Sequence, residues 1–201
     1  MTPRQPTRRS LVLTWTTPDP DGLARRLVAR GFTLEGHRLL LPSAWIGLLD
    51  ATGPERLLEP RLEAEEGGGT PPPVHPNGVV DLMAIGWATV DLERALVQAA
   101  STEPSEVVPD DELLGGRAVR VGGAVPATFV LEPFTEGRLA ATLARVGEGP
   151  AVLYLGGDVR RWDAAPRPGP LGPAVLVPGG SAHGPHLVLV AHVGPPGTIR
   201  P

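Results

Sequence analysis

The chain contains few side chains that could act as nucleophiles or as metal ligands. Its five histidines are His37, His75, His183, His186 and His192. Cysteine is absent, and all 18 basic residues are arginine because the sequence has no lysine. Cysteine nucleophiles, cysteine-based zinc sites and lysine Schiff bases are therefore excluded. Any catalysis would depend on histidines, carboxylates or hydroxyl groups.

One segment, GGSAHGP, brings a serine close to a histidine. Ser181 and His183 lie in it. A nucleophile elbow needs a Gly-flanked serine on a turn between a strand and a helix, together with an acidic third residue. Neither is evident here, so the segment is predicted to be a surface loop.

A metal site built from histidines is a second chemical possibility. His183 and His186 have a spacing that suits ligands on a helix, but a glycine and a proline between them disfavour a helix. A site that combines His37, His186 or His192 with Glu35 stays open as an alternative.

Glu132, in the sequence VLEP, is a candidate general base. It follows a predicted strand, and strand alternation puts it on the face opposite Phe129. A carboxylate at a strand end commonly caps a helix or pairs with an arginine. Both the catalytic and the structural role stay open at this point.

Composition limits the partners and the compartment. The 201 residues carry a net charge of −4 with a pI near 5.7, which argues against a nucleic-acid partner. The apolar run Leu11–Trp15 is too short for a signal peptide, and no stretch approaches a membrane span. Together with the absence of cysteine, these features predict a cytoplasmic protein without a membrane partner.

The first part of the chain predicts one strand, one helix and three further strands. The strand is Leu11–Trp15, the helix is Leu23–Arg30, and the later strands are Phe32–Leu34, Arg38–Leu41 and Trp45–Leu49. Breakers such as glycine and proline separate these elements. The order is β-α-β-β-β.

A change in composition marks a boundary after this unit. Residues 63–78 are rich in Glu, Gly and Pro and contain too few apolar side chains to order themselves. We therefore predict an N-terminal module at residues 1–62, a flexible linker at 63–78, further modules at 79–193 and a tail at 194–201.

The same order of elements begins again after the linker. Met83–Thr89 is predicted as a strand, Asp91 as the N-cap of a helix, and Arg117–Val121 and Ala127–Leu131 as strands. A helix near Glu136–Val146 and three apolar runs follow, without a further helix between the runs: Ala151–Leu155, Ala174–Val177 and Leu187–Val190.

This repetition predicts an α+β fold, in which repeated β-α-β-β-β modules form a cupped mixed sheet with outer helices. A generic α+β sandwich is the alternative, because periodicity alone does not separate the two.

Four sequence segments, in this order and spacing, resemble the vicinal oxygen chelate (glyoxalase-like) superfamily, specifically its methylmalonyl-CoA epimerase-like branch. They are IGWATVDLE at 85–93, LEP at 131–133, GEGPAVLYL at 147–155 and PRPGPLGPAVLVPGG at 166–180. The resemblance covers residues 80–190. It implies a cup in which four inward side chains hold one divalent ion for proton transfer next to a carbonyl group.

The metal-ligand positions of that superfamily correspond here to Ala84, Phe129, Ala151 and Leu189. None of these side chains can bind a divalent cation. The resemblance therefore implies a cup without its metal, and no cofactor is expected. The four side chains would line either an apolar pocket for a small molecule or a filled core.

Three functions are compatible with these observations. The first is a metal-free glyoxalase-like protein that binds a small, partly apolar molecule through Ala84, Phe129, Ala151 and Leu189. The second is an isomerase or lyase that acts on a carbonyl compound. The third is a structural or partner-binding module, in which a second subunit of a homodimer covers the helix-free C-terminal strands.

Overall fold

The computed structural model describes residues 9–64, 73–99, 105–122, 126–178 and 184–191. Three α-helices lie in these ranges: α1 (Pro20–Ala29), α2 (Leu92–Ala99) and α3 (Arg138–Val146). Thirteen strands are present in the described ranges: β1 (Arg9–Thr17), β2 (Leu34–Glu35), β3 (Arg38–Leu40), β4 (Ala44–Asp50), β5 (Arg56–Leu57), β6 (Arg61–Ala64), β7 (Val79–Ala88), β8 (Ser105–Val107), β9 (Gly116–Val121), β10 (Ala127–Pro133), β11 (Gly149–Gly157), β12 (Ala174–Leu176) and β13 (His186–Ala191).

The first two helices begin where an aspartate can cap them. The Asp19 carboxylate accepts a hydrogen bond from the backbone N–H of Gly22 at 2.8 Å, and the Asp91 carboxylate accepts one from that of Arg94 at 2.9 Å. These bonds satisfy N–H groups that have no partner inside the helix. The predicted N-cap at Asp91 is confirmed.

The first five elements, β1-α1-β2-β3-β4, form the first module. Its strands lie in the order β2-β3-β4-β1, and β1 runs parallel to β4. The elements β7-α2-β8-β9-β10 form a second module with the same arrangement, β8-β9-β10-β7, in which β7 runs parallel to β10. The predicted repetition of β-α-β-β-β modules in an α+β fold is confirmed.

The C-terminal strands repeat part of the same pattern. They lie in the order β12-β13-β11, and β11 runs parallel to β13. β7 is the first strand of the second module, and β11 is the first strand of the C-terminal group. These two strands pair antiparallel and join both groups into one seven-stranded mixed sheet, which we call the second sheet.

The first module forms a separate sheet, which we call the first sheet. The free edge of β1 pairs with β5 and β6, so it cannot join another module edge to edge. The expectation that the first two modules share one cupped sheet is therefore wrong. The sequence pattern did not reveal the short strands β5, β6 and β8.

One apolar core joins the two sheets. It contains Leu13 and Ile46 from the first sheet, Leu23 from α1, and Leu153 and Leu187 from the second sheet. The first module therefore covers the helix-free C-terminal strands on this side. The expectation that these strands expose a sheet for a second subunit is wrong for this face.

The structure shortens the predicted linker at both ends. Residues 63 and 64 belong to β6, and His75 is buried against the first module. The His75 ring stacks edge to face with Phe32 at 6.0 Å, its Nδ1 accepts the N–H of Thr33 at 3.1 Å, and its Nε2 donates to the Leu40 carbonyl at 3.0 Å. Residues 65–72 lie outside the described residues, so their flexibility stays a prediction.

We expect acid to destabilise the protein through His75. Burial lowers the pKa of this ring, although the bond to the Leu40 carbonyl opposes the shift. The unfolded chain therefore binds a proton more readily than the folded protein does. The contribution of His75 to the free energy of unfolding is complete above pH ~6.5 and is lost as the pH falls towards the folded-state pKa.

Urea unfolding of the wild type and of His75→Gln between neutral and mildly acidic pH measures this effect. The wild type should lose stability more steeply than the variant on acidification. His37→Gln, which alters an exposed histidine, is the matched control and should follow the wild type. Equal slopes for wild type and His75→Gln would contradict the prediction.

Within the described residues, no helix is long and apolar enough to cross a lipid bilayer.

Candidate functional site

Three of the four predicted site residues lie on one face of the second sheet, which we call the inner face. Ala84, Phe129 and Ala151 belong to the same apolar cluster and are fully or almost fully buried. Phe129 lies opposite Gly86 on β7, where a Cβ atom would come within 3 Å of neighbouring side chains. Because glycine has no side chain, the neighbouring side chains can occupy the space beside Gly86.

The fourth residue, Leu189, lies on the opposite, outer face. It pairs with Leu155 and packs in the core between the two sheets. Its neighbours Val188 and Val190 belong to the inner-face cluster, because successive residues of a strand point to opposite faces. The prediction that Leu189 lies on the same face as the other three residues is therefore wrong. The error is one residue along the strand. A ligand-binding role for any of the four stays a prediction.

The inner face is closed by the protein itself. Leu139 and Leu143 of α3 pack against it, as do Leu114 of the segment 108–115 and Leu171. We call residues 108–115 the closing segment. The expectation that helices lie only on the outer side is wrong for α3.

A buried polar contact attaches the closing segment to the sheet. The Tyr154 hydroxyl donates to the Asp111 carboxylate at 2.7 Å, and the other oxygen of this carboxylate accepts the N–H of Leu114 at 2.9 Å. Burial raises the pKa of Asp111, opposed by these hydrogen bonds, and burial also raises the pKa of Tyr154. The closing segment is therefore attached to the sheet through the Asp111 carboxyl group, which is buried away from water.

Sequence reasoning did not identify this pair, although one signal was present. Tyr154 is the only tyrosine in the chain and lies in the apolar run AVLYLGG. A buried tyrosine hydroxyl usually requires a hydrogen-bond partner. Nothing in the sequence near Asp111 shows that this carboxylate supplies it.

A second polar pair lies on the same face. The Thr142 hydroxyl donates to the carbonyl of Arg138 at 2.9 Å and is 2.8 Å from Nε2 of His186. The hydroxyl hydrogen is used by the carbonyl, so His186 donates its Nε2–H to Thr142. His186 therefore connects β13 to α3.

An arginine beside Phe129 contributes a donor that has no acceptor. Arg120 on β9 lies directly opposite Phe129 on β10, and its side chain is partly exposed. Its Nε atom is buried and forms no hydrogen bond within the described part of the chain. The exposed Glu106 lies opposite Arg120 on β8, but the described residues show no ion pair between them. Such an orphaned donor requires an explanation.

The predicted site positions on the inner face carry apolar side chains. Ala84, Phe129 and Ala151, and the two valines beside Leu189, carry no side-chain donor atoms. Across the described ranges, no group of three or more His, Asp or Glu side chains is placed to hold a metal ion. His37 lies in the β2–β3 turn of the first module and His186 on β13 of the second sheet.

Glu132 has a structural role in this arrangement. One of its oxygens accepts the N–H of Leu92, the first residue of α2, at 3.2 Å, and the other accepts from the Arg117 guanidinium. It thereby connects two strands and a helix end. Ser181, His183 and His192 lie outside the described residues.

An open groove lies on the first module. It has a volume of about 520 Å³ and runs between α1 and the β2–β3 turn. Its apolar lining includes Ala24, Val28 and Leu34. At its polar side, His37 Nε2 lies 2.9 Å from an Asp21 carboxylate oxygen. Its volume is in the range of small-molecule sites.

Comparison with known proteins finds similar folds and no family assignment. No protein-family model matches the chain, and no curated protein matches it. Similar solved structures include methylmalonyl-CoA epimerase from Streptomyces coelicolor, with 22% identity and a TM-score of 0.47 over 58% of this chain and 99% of that chain. The epimerase from Mycobacterium tuberculosis has 21% identity and a TM-score of 0.47 over 59% and 89%. A hypothetical protein from Bacillus halodurans has 18% identity and a TM-score of 0.46 over 57% and 96%.

Proposed function

We propose that the protein is a metal-free, glyoxalase-like binding protein whose inner face holds a small, partly apolar molecule with a hydrogen-bond acceptor. Ala84, Phe129 and Ala151 contribute the apolar surface, and Val188 takes the place predicted for Leu189. The proposal depends on one observation, the buried Nε–H of Arg120 without an acceptor beside Phe129.

An arginine donor on an apolar face selects for particular ligands. A buried donor without a partner costs free energy of about 1 to 3 kcal/mol. A ligand that brings an acceptor to this position removes the cost and gains a charge-assisted hydrogen bond. The ligand therefore combines an apolar body with an acceptor, such as a carboxylate or a sulfonate.

Entry to the inner face requires movement of the closing segment. This segment is attached through the Asp111–Tyr154 bond, and the desolvation of Asp111 offsets part of what the bond contributes. Movement of the segment returns the Asp111 carboxyl to water and exposes Phe129. The ligand then replaces the apolar contacts of Leu114.

Anilinonaphthalene sulfonate is a suitable probe because it combines fused aromatic rings with an anionic acceptor. We expect the folded protein to bind it with enhanced fluorescence. Arg120→Gln should weaken this binding about tenfold, as expected for loss of a charge-assisted hydrogen bond. Fluorescence titration with thermal unfolding of the same samples measures both affinity and folding.

Arg145→Gln is the matched control, since Arg145 is exposed near the end of α3 and the substitution changes the net charge equally. It should bind the probe like the wild type. Equal affinities for wild type and Arg120→Gln, both folded, would overturn the proposal. A stoichiometric divalent ion in the purified protein would instead favour the isomerase or lyase alternative.

A structural or partner-binding module is the second candidate function. It is favoured by the complete burial of Phe129 and Tyr154, which fill the inner face in the closed state. Since the first module covers the outer face of the C-terminal strands, a partner or a second copy of the chain would contact another surface. Absence of any probe binding by the folded wild type would select this candidate.

A further inference from the structure

We infer that the groove on the first module is a second binding site and that it takes a small carboxylate with an apolar body. The site is separate from the inner face of the second sheet, because it is formed by α1 and the β2–β3 turn of the first module. The inference depends on the surface of α1 and on the charges at the groove.

Helix α1 has two apolar surfaces. Leu23 and Leu27 are buried in the core between the sheets. Ala24 and Val28, also four residues apart, line the groove, and Val28 is 56% exposed. Residues at this spacing lie next to each other on one side of a helix. An exposed valine in a concave surface provides contact area for the apolar part of a ligand.

The groove also contains a cation, Arg25, in addition to the Asp21 carboxylate. Arg25 follows Asp21 by one helical turn, a spacing at which the two side chains would ordinarily pair. The Asp21 carboxylate instead contacts His37 at 2.9 Å. Among the described residues, Arg25 has no ion-pair partner within 4 Å, although it lines the groove. An anion is therefore the group that complements this position.

The chemistry of the ligand follows from these two features. The planar guanidinium of Arg25 can bind both oxygens of a carboxylate. The His37 imidazole, oriented by Asp21, lies at the same groove. Val28 and Leu34 then contact the apolar body. A small aromatic or branched carboxylate fits this combination, whereas a neutral amide of the same shape lacks the charge that Arg25 requires.

Benzoate and its neutral analogue benzamide test the inference directly. In an NMR titration of the full chain, benzoate should shift the ring resonances of His37 in a saturable manner. Benzamide and acetate should bind more weakly, because the first lacks the charge and the second lacks the ring. Arg25→Gln should weaken benzoate binding about tenfold, the effect expected for a lost bidentate pair.

Two controls make the result specific. Arg30→Gln removes an equally exposed arginine at the end of the same helix, outside the groove, and should bind benzoate like the wild type. Arg120→Gln should also leave this binding unchanged, which separates this site from the inner face. Equal binding of benzoate and benzamide, an unchanged affinity in Arg25→Gln, or no saturable shift of His37 would each overturn the inference.

Discussion

Phe129→Ala should lower the free energy of unfolding by about 3 to 5 kcal/mol, as buried aromatic truncations do. The Phe129 side chain is 0% exposed and belongs to the apolar cluster of the inner face. Its ring contacts that of Tyr154 edge to face, with centroids 5.5 Å apart. The substitution removes the apolar burial, this ring contact and the support that Phe129 gives to the Asp111–Tyr154 bond.

The size of the loss in the free energy of unfolding also distinguishes an open inner face from a closed one. If the face were an open pocket, Phe129 would have few protein contacts and its truncation would cost little. The structure shows it in the packed, closed state, so a large loss is expected even though we propose that a ligand can enter. Urea unfolding monitored by tryptophan fluorescence measures the change.

Phe134→Ala is the matched control for this prediction. Phe134 is 43% exposed and lies only five residues further along the chain. Its truncation should cost less than about 1 kcal/mol, as for most surface substitutions. Similar unfolding midpoints for Phe129→Ala and wild type would show that the inner face is open in solution.

Leu189→Ala should lower the free energy of unfolding by about 2 to 5 kcal/mol, the range for truncation of buried leucines. Leu189 is 0% exposed and packs between the two sheets, where it lies opposite Leu155 on β11 and Val175 on β12. The loss arises from a cavity in the core that holds the first module against the second sheet. Because this residue is on the outer face, its truncation should leave the affinity for anilinonaphthalene sulfonate unchanged.

Leu62→Ala provides the comparison, since Leu62 is 64% exposed on β6. It should stay within about 1 kcal/mol of wild type. If Leu189→Ala is folded, keeps wild-type stability and binds the probe more weakly, then Leu189 lies on the inner face, as the sequence resemblance implied. Urea unfolding and fluorescence titration of both variants distinguish these outcomes.

The longest strands and helices that were predicted correctly have regular apolar patterns. Leu23 and Leu27 at helical spacing identify α1, although the helix begins at Pro20 inside the predicted turn, and the apolar run of β11 identifies a strand. The missed strands β5 and β8 each contain only one apolar residue, Leu57 and Val107. They form because each has a neighbouring strand edge to pair with, and that edge comes from elsewhere in the chain.

The candidate sites depended more strongly on tertiary structure. The sequence indicated that Ala84, Phe129 and Ala151 provide apolar surface, and the structure places all three in one cluster. It misassigned Leu189, because a shift of one residue along a strand reverses the face on which a side chain lies. The contact between Asp21 and His37 was also invisible, since the two residues are 16 positions apart in the chain.

By itself, the sequence determined the repeated modules and the N-cap at Asp91. These features depend on residue types and on local spacing. Only the tertiary structure decided which modules share a sheet, which face each strand buries, and that Asp111 and α3 close the inner face. These features depend on contacts between residues far apart in the chain, where the free energy of burial and of edge pairing selects among arrangements that the local pattern permits equally.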